Sequence, residues 1–209
     1  MKKFLLVDDH VVVRSGIKVL LSEIYKPAEI YEAFDGESAT QLLKDNQYDL
    51  IMLDIQMPNT DTLGLMKQIH QDYPEAKVLI FSMSAENIYA KRFMMAGAYG
   101  FISKEAPLDE ITRAINVILN NRKYISESMI DKLAEDSFAG NPGNPFDKLS
   151  PKEFEIVSLL LAGKTLTDIS HTLNIHTSTA GTHKARLFEK LKITNILELS
   201  ELAKAYGVQ

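Results

Sequence analysis

Cysteine is absent from the 209 residues. That excludes disulfides, thiolate metal sites and cysteine nucleophiles, and it fits a reducing compartment. Long apolar runs are absent too: none approaches the roughly 20 residues that a bilayer-crossing helix needs. Basic residues do precede an apolar run in Met1-Lys2-Lys3-Phe4-Leu5-Leu6-Val7, but Asp8 and Asp9 end it too soon for a signal peptide. The expectation is a cytoplasmic protein with no membrane partner. Strong positive charge is the third absence. The formal net charge is −5, and only residues 147–209 lean basic, with eight Lys+Arg against seven Asp+Glu. Such a balance permits a polyanion partner without announcing one.

What is present is a chain 45% hydrophobic and 24% charged, long enough for one or two domains with real cores. Leu50–Leu53 has no polar residue and no alternation, which suits a strand covered on both faces, as in a parallel sheet. Asp54 follows directly, and Pro58 stops the strand. Alone, Asp54 reads equally well as a turn or cap residue and as a functional carboxylate. The neighbouring segments bear on the choice. Strands are expected at Phe4–Val7, Ile30–Phe34, Val78–Phe81 and Gly100–Ile102. Helical periods lie between them: Val13, Ile17, Leu20, Leu21 and Ile24; then Glu37–Lys44, Leu63–His70 and Asn87–Met95; then Leu108, Ile111, Ile115 and Ile118. Five β-α alternations in about 120 residues predict an α/β fold, a doubly wound five-stranded parallel sheet.

Such a sheet gathers the carboxyl ends of its strands along one edge. Asp8, Asp9, Asp54, Ser82 and Lys104 stand just past four different strands and so converge on one pocket. Three carboxylates together repel one another unless a cation lies among them. All-oxygen ligands favour a hard ion, and Mg²⁺ is typically held by one or two carboxylates plus waters. A lysine and a hydroxyl beside them suit a phosphoryl group carried by one carboxylate. For each residue taken singly, capping by Asp8-Asp9 and a surface role for Lys104 are as consistent.

Asp8-Asp9-His10, Leu53-Asp54-Ile55-Gln56-Met57-Pro58, Phe81-Ser82, Ala96-Gly97-Ala98 and Lys104-Glu105-Ala106-Pro107 resemble the receiver domain of bacterial two-component response regulators. The likeness covers roughly residues 1–122 and implies a flavodoxin-like receiver. It implies Asp54 as phosphoacceptor. It implies Asp9, Asp54 and the main-chain carbonyl of Gln56 as Mg²⁺ ligands, with Asp8 acting through water. Ser82 and Lys104 would engage the phosphoryl group, and Phe101 stands at the switch aromatic position, turning inward as Ser82 moves. Thr62 departs from the usual pattern, in which glycine follows the aspartate at 61.

Residues 136–147 are dominated by Gly, Asn and Pro and read as part of a linker, taken as 123–146, which a short helix at Ser128–Ala134 precedes in part. Beyond it, Ser150, Pro151 and Glu153 form a capping box. Phe154, Val157, Leu160 and Leu161 give that helix its apolar face. Further helices are expected at Thr167–Leu173, at Thr177–Leu191 with Ala180, Leu187 and Leu191 inward, and at Ile196–Ala205. Pattern alone fits a plain four-helix bundle as well as a helix-turn-helix.

Leu149-Ser150-Pro151-Lys152-Glu153, Ile169 through Ile175, and Thr179-Ala180-Gly181-Thr182-His183 through Leu191 resemble the LuxR-type helix-turn-helix over about residues 147–207. A receiver followed by this module is similar to the NarL/FixJ group. The resemblance implies domains at 1–122 and 147–209 and a transcription regulator rather than an enzyme. A sensor histidine kinase would phosphorylate it, and the phosphorylated homodimer would bind double-stranded DNA at a two-fold site. Thr179, Thr182, His183, Lys184, Arg186, Lys190 and Lys192 are the candidate DNA contacts. Gly181, Ala185 and Thr167 stand where relatives often carry basic residues. Two other classes remain for comparison. A phosphohydrolase using an aspartyl-phosphate is disfavoured by Gln56, which stands where a second carboxyl acid/base would be needed. An interaction protein whose helix-turn-helix binds DNA weakly or not at all is favoured by Gly181 and the weak basicity.

Overall fold

The computed structural model describes residues 1–58, 60–84, 86–131 and 144–208, apart from the side chains of Asn87, Ile88 and Pro151. The chain forms two compact units, Met1–Glu127 and Ser128–Gln209.

In the first unit, β1 (Lys2–Val7), β2 (Ala28–Ala33), β3 (Leu50–Leu53), β4 (Val78–Ser82) and β5 (Gly100–Ser103) alternate with α1 (Val11–Ile24), α2 (Gly36–Asp45), α3 (Thr62–Asp72), α4 (Glu86–Met95) and α5 (Leu108–Leu119). The sheet order is β2-β1-β3-β4-β5, and every pairing is parallel. All four residues of β3 and all five of β4 are buried, which is why neither run alternates in sequence. Leu50 and Met52 pack with Phe4, Ile17, Leu21, Ile111 and Ile115 on the face covered by α1 and α5. Ile51 and Leu53 point the other way and are equally buried, so the opposite layer is covered as well. Each such Leu or Ile contributes roughly 1.5–3 kcal/mol of burial.

The helix bounds follow local chemistry. Asp35 caps α2, accepting from Ser38 N at 2.7 Å while the Ser38 hydroxyl reaches back. The pair Asp35-Gly36 between the second strand and α2 is therefore a helix start. On α1, Ile17 and Leu21 are buried, but Ile24, the last residue of the helix, is 41% exposed.

The second unit is helical: a 3-10 turn (Pro145–Lys148), α6 (Pro151–Leu161), α7 (Leu166–Thr172), α8 (Thr177–Leu191) and α9 (Ile196–Ala205). The expected capping box is present: Glu153 N donates to Ser150 Oγ, and Ser150 N to Glu153 Oε2. A second box, Thr165 with Asp168, starts α7 one residue earlier than the apolar period suggests. Most of the expected linker 136–147 lies outside the described residues. Its end is not linker-like: Asn144 caps the 3-10 turn, and Phe146 is buried with its ring 6.2 Å from that of Phe154 and 6.4 Å from that of Tyr206. A large aromatic is worth more packed than solvated, so it overrides the Gly-Asn-Pro context. The helix expected at Ser128–Ala134 is seen only over 127–131, and its remainder lies outside the described residues.

Candidate functional site

Parallel pairing brings the ends of four strands to one edge. Val7 is level with Leu53, and Ser82 with Ser103. Asp8, Asp54 and Lys104 extend those strands, held by main-chain bonds from Asp8 N to Ala33 O, Asp54 N to Val7 O and Lys104 N to Ser82 O. Asp8 is 4% exposed and Asp54 2%. Lys104 Nζ lies 2.6 Å from Asp8 Oδ2 and 2.8 Å from Asp54 Oδ2. Burial opposes the ammonium charge, but hydrogen bonds and attraction from Asp54 and Asp8 outweigh it and hold the Lys104 pKa above its ordinary value.

Neither Asp8 nor Asp9 caps α1. The N-cap is His10, whose side chain makes no capping bond, so both carboxylates are left to the pocket. Ligand atoms of Asp8, Asp9, His10 and Asp54 lie within 4.8 Å of one another. Asp8 Oδ2 is held by Lys104 at 2.6 Å, whereas the buried Asp9 Oδ1 has, among the described residues, the His10 ring beside it at 2.8 Å and no hydrogen bond. Acceptors buried in this way, with one cation for three acids, fit a divalent ion among Asp8, Asp9 and Asp54.

The loop after Asp54 is braced. Gln56 N donates to Asp54 Oδ1 at 3.1 Å, and Thr62 Oγ1 donates to Ile55 O at 3.2 Å. Asp61 caps α3 through Gly64 N. The Thr62 brace and the Arg14 bond to Asp8 O could not be foreseen from the sequence, because no local pattern points a side chain at a particular distant carbonyl. Ser82 is fully buried, and its Oγ accepts from Ser84 N. Phe101, expected at the switch position, has its ring inward and 1% exposed. Its strand β5 is buried on both faces: Ile102 joins the α1/α5 core and Phe101 points to the opposite layer.

In the second unit the candidate DNA residues differ in their surroundings. Thr179, Thr182, Arg186 and Lys192 are exposed. His183 is half-buried, its Nδ1 enclosed without a hydrogen bond from the described residues. Lys184 Nζ lies 5.3 Å over the Phe188 ring. Lys190 is exposed too, but its Nζ lies 2.6 Å from Oε2 of the buried Glu153. A carboxylate buried by its capping role needs a cation, and Lys190 is the one that reaches it. Burial alone would raise the Glu153 pKa, but Lys190 and the Ser150 bonds hold it below the usual value. Ala180, Leu187 and Leu191 face inward as expected.

A five-stranded parallel sheet in this order, with an acid-lysine pocket at its carboxyl edge, is a receiver fold, and a short-helix module follows it. Residues 4–116 match the response regulator receiver domain, and residues 147–203 match the bacterial regulatory proteins of the luxR family. The chain belongs to the response regulators that join a receiver to a LuxR-type DNA-binding domain. It is 33% identical over 209 residues to the response regulator GacA of Pseudomonas aeruginosa, covering all of this chain and 98% of that one. It is 31% identical over 205 residues to the response regulator UvrY of Escherichia coli, covering 98% and 94%. Among solved structures, RcsB from Salmonella enterica serovar Typhimurium, bound to promoter rprA with the phosphomimetic BeF3−, aligns with a TM-score of 0.77 at 22% identity. That alignment covers 97% of this chain and 98% of RcsB, and the likeness is one of fold. Among the described residues, no helix is long and apolar enough to cross a membrane.

Proposed function

We propose that this chain takes a phosphoryl group from a sensor histidine kinase onto Asp54 and thereby controls its own dimerisation and its binding to two-fold DNA sites. The observation that carries the reading is the pairing of a buried Asp54 with Lys104 at 2.8 Å beside two further acids. In the transfer, an Asp54 oxygen bonds to phosphorus as the bond from phosphorus to the donor nitrogen breaks, and the nitrogen keeps the electron pair. Lys104 sits where negative charge accumulates and follows the phosphoryl oxygens; Ser82 supplies a hydroxyl donor. Mg²⁺, held by Asp9, Asp54 and the Gln56 carbonyl with Asp8 behind a water, would neutralise charge on those oxygens. Thr62 braces the neighbouring Ile55 carbonyl of the same loop. Gln56, an amide two residues after Asp54, has no carboxyl with which to exchange a proton with water, which favours a stored phosphoaspartate over a hydrolase cycle.

The receiver would comprise residues 1–122 together with the strap through Ser126, which pairs Tyr124 with Gly100 and bonds Ser126 to Glu86. The output domain would begin at Asn144, a few residues before the 147 expected from sequence. Thr179, Thr182 and Arg186 on the exposed side of α8, with Lys192 at its end, are the DNA contacts the geometry favours, while His183, Lys184 and Lys190 support the module. A cytoplasmic location accords with these partners. Incubation with acetyl phosphate and Mg²⁺ tests the reading. Wild type should gain one phosphate and shift toward dimer, and Asp54→Asn should gain none. Equal labelling of both proteins would sink the assignment. Titration against random and selected duplexes at several salt concentrations tests the output; salt-independent or absent binding would favour an interaction protein with a lapsed DNA function.

A further inference from the structure

We propose that His10 is a metal-selectivity residue: its imidazole Nδ1 gives the acidic pocket a nitrogen donor and tilts it away from Mg²⁺ toward first-row divalent ions, modestly for Mn²⁺ and more strongly for borderline Ni²⁺. This rests on the reading of the pocket as a metal site.

Three features of the geometry point to it. First, the ring is not spent on its helix. His10 is the N-cap of α1, a position whose side chain ordinarily bonds an orphan N–H, yet it makes no such bond. Second, the ring turns to the acids. Nδ1 lies 2.8 Å from Asp9 Oδ1 and 3.2 Å from Asp8 Oδ1. Third, the oxygens are divided. Lys104 occupies Asp8 Oδ2 and Asp54 Oδ2 on the inner side, and the His10 amide donates to Asp8 Oδ1 at 2.8 Å. Asp9 Oδ1, buried and without a hydrogen bond, is left facing the ring. A carboxylate oxygen and an imidazole nitrogen side by side form a mixed chelate, and the ring is 62% exposed, so ions reach it from solvent. Hard Mg²⁺ gains little from nitrogen, whereas affinity for imidazole rises from Mn²⁺ to Ni²⁺.

The experiment uses untagged full-length protein loaded with Mn²⁺, prepared with natural and with ¹⁵N-labelled histidine, and read by electron spin echo modulation. A bound imidazole shows ¹⁴N modulation that the label converts to the ¹⁵N pattern. This measurement needs no variant. In parallel, Mn²⁺, Ni²⁺ and Mg²⁺ are titrated into wild type and His10→Ala. The expected result is label-sensitive modulation, with about a tenfold loss of Mn²⁺ affinity, a larger loss for Ni²⁺, and Mg²⁺ changed by less than about twofold. Mn²⁺ binding without nitrogen modulation overturns the proposal and leaves the metal pocket standing. An equal loss for all three ions also overturns it, assigning His10 to holding Asp8. If wild type binds neither Mn²⁺ nor Mg²⁺, the proposal and the metal reading fall together.

Discussion

Lys104 donates a 2.8 Å hydrogen bond to Asp54 across fifty residues of chain, and the same ammonium serves Asp8. One cation thus lies between two buried acids and offsets the charge of one. Lys104→Met should strand both carboxylates and destabilise the receiver by about 3–5 kcal/mol in metal-free buffer. Millimolar Mg²⁺ should restore part of that loss, raising the Tm of the variant more than that of wild type. The raised Lys104 pKa means that the pair contributes fully below the ordinary lysine value of 10.5, so the deficit should be constant from pH 6 to 9 and shrink only at more alkaline pH. Thermal denaturation with and without Mg²⁺ checks this; equal Tm values for the two proteins would refute it.

Thr62 ties the loop after Asp54 through its bond to Ile55 O. Thr62→Val keeps the shape, removes that donor and leaves the carbonyl unpaired, at a cost of about 1 kcal/mol. Because the Gln56 carbonyl is the next along the chain, Mg²⁺ affinity should fall severalfold. Titration of Mg²⁺ against the variant decides the point. Unchanged affinity would limit Thr62 to stability.

Glu153 is held below its ordinary pKa by Lys190 and the Ser150 bonds, which outweigh the opposing effect of burial. A depressed carboxyl contributes stability above its unfolded value of 4.5 and loses it as pH falls through the folded one. Protection of the α6 amides from hydrogen exchange should therefore drop as pH falls below 4.5 in wild type. In Glu153→Gln it should be lower and much flatter. Lys190→Met should cost roughly 1–2 kcal/mol at pH 7, less than a fully buried pair, because the ammonium is 41% exposed. It should leave the salt dependence of DNA binding nearly unchanged. A slope lowered by a whole unit would return Lys190 to the phosphate contacts.

Gly181 lies inside α8, and a Cβ added there meets nothing within 4 Å. No packing requirement within the described residues explains the glycine. Gly181→Ala should stabilise α8 by about 0.5–1 kcal/mol. Gly181→Lys should steepen the logarithmic salt slope for random DNA by about one unit. Weaker binding with an unchanged slope would show instead that close approach to DNA needs the bare backbone.

Sequence alone determined the elements and their kinds. Unbroken apolar runs at Leu50–Leu53 and Val78–Phe81 demanded covered parallel strands, and the Ser150–Glu153 box set the start of α6. The apolar period and its turns bounded α8 and α9 at the residues observed, Thr177–Leu191 and Ile196–Ala205. These signals are local, because caps and periods act within a few residues. Strand-end logic also gathered Asp8, Asp9, Asp54, Ser82 and Lys104 at one edge, while the particular roles of Asp54 and the Gln56 carbonyl came from resemblance. Only the tertiary structure decided which groups touch. That Asp8 and Asp9 face the pocket rather than cap α1, that Lys104 bridges two acids, that Phe101 is already inward, and that Lys190 is bound to Glu153 depend on strand register and helix packing between residues 37 to 96 positions apart. A lysine on a helical face carries the same local pattern whether it meets phosphate or a buried carboxylate, and only the neighbouring element, placed by the core, distinguishes the two.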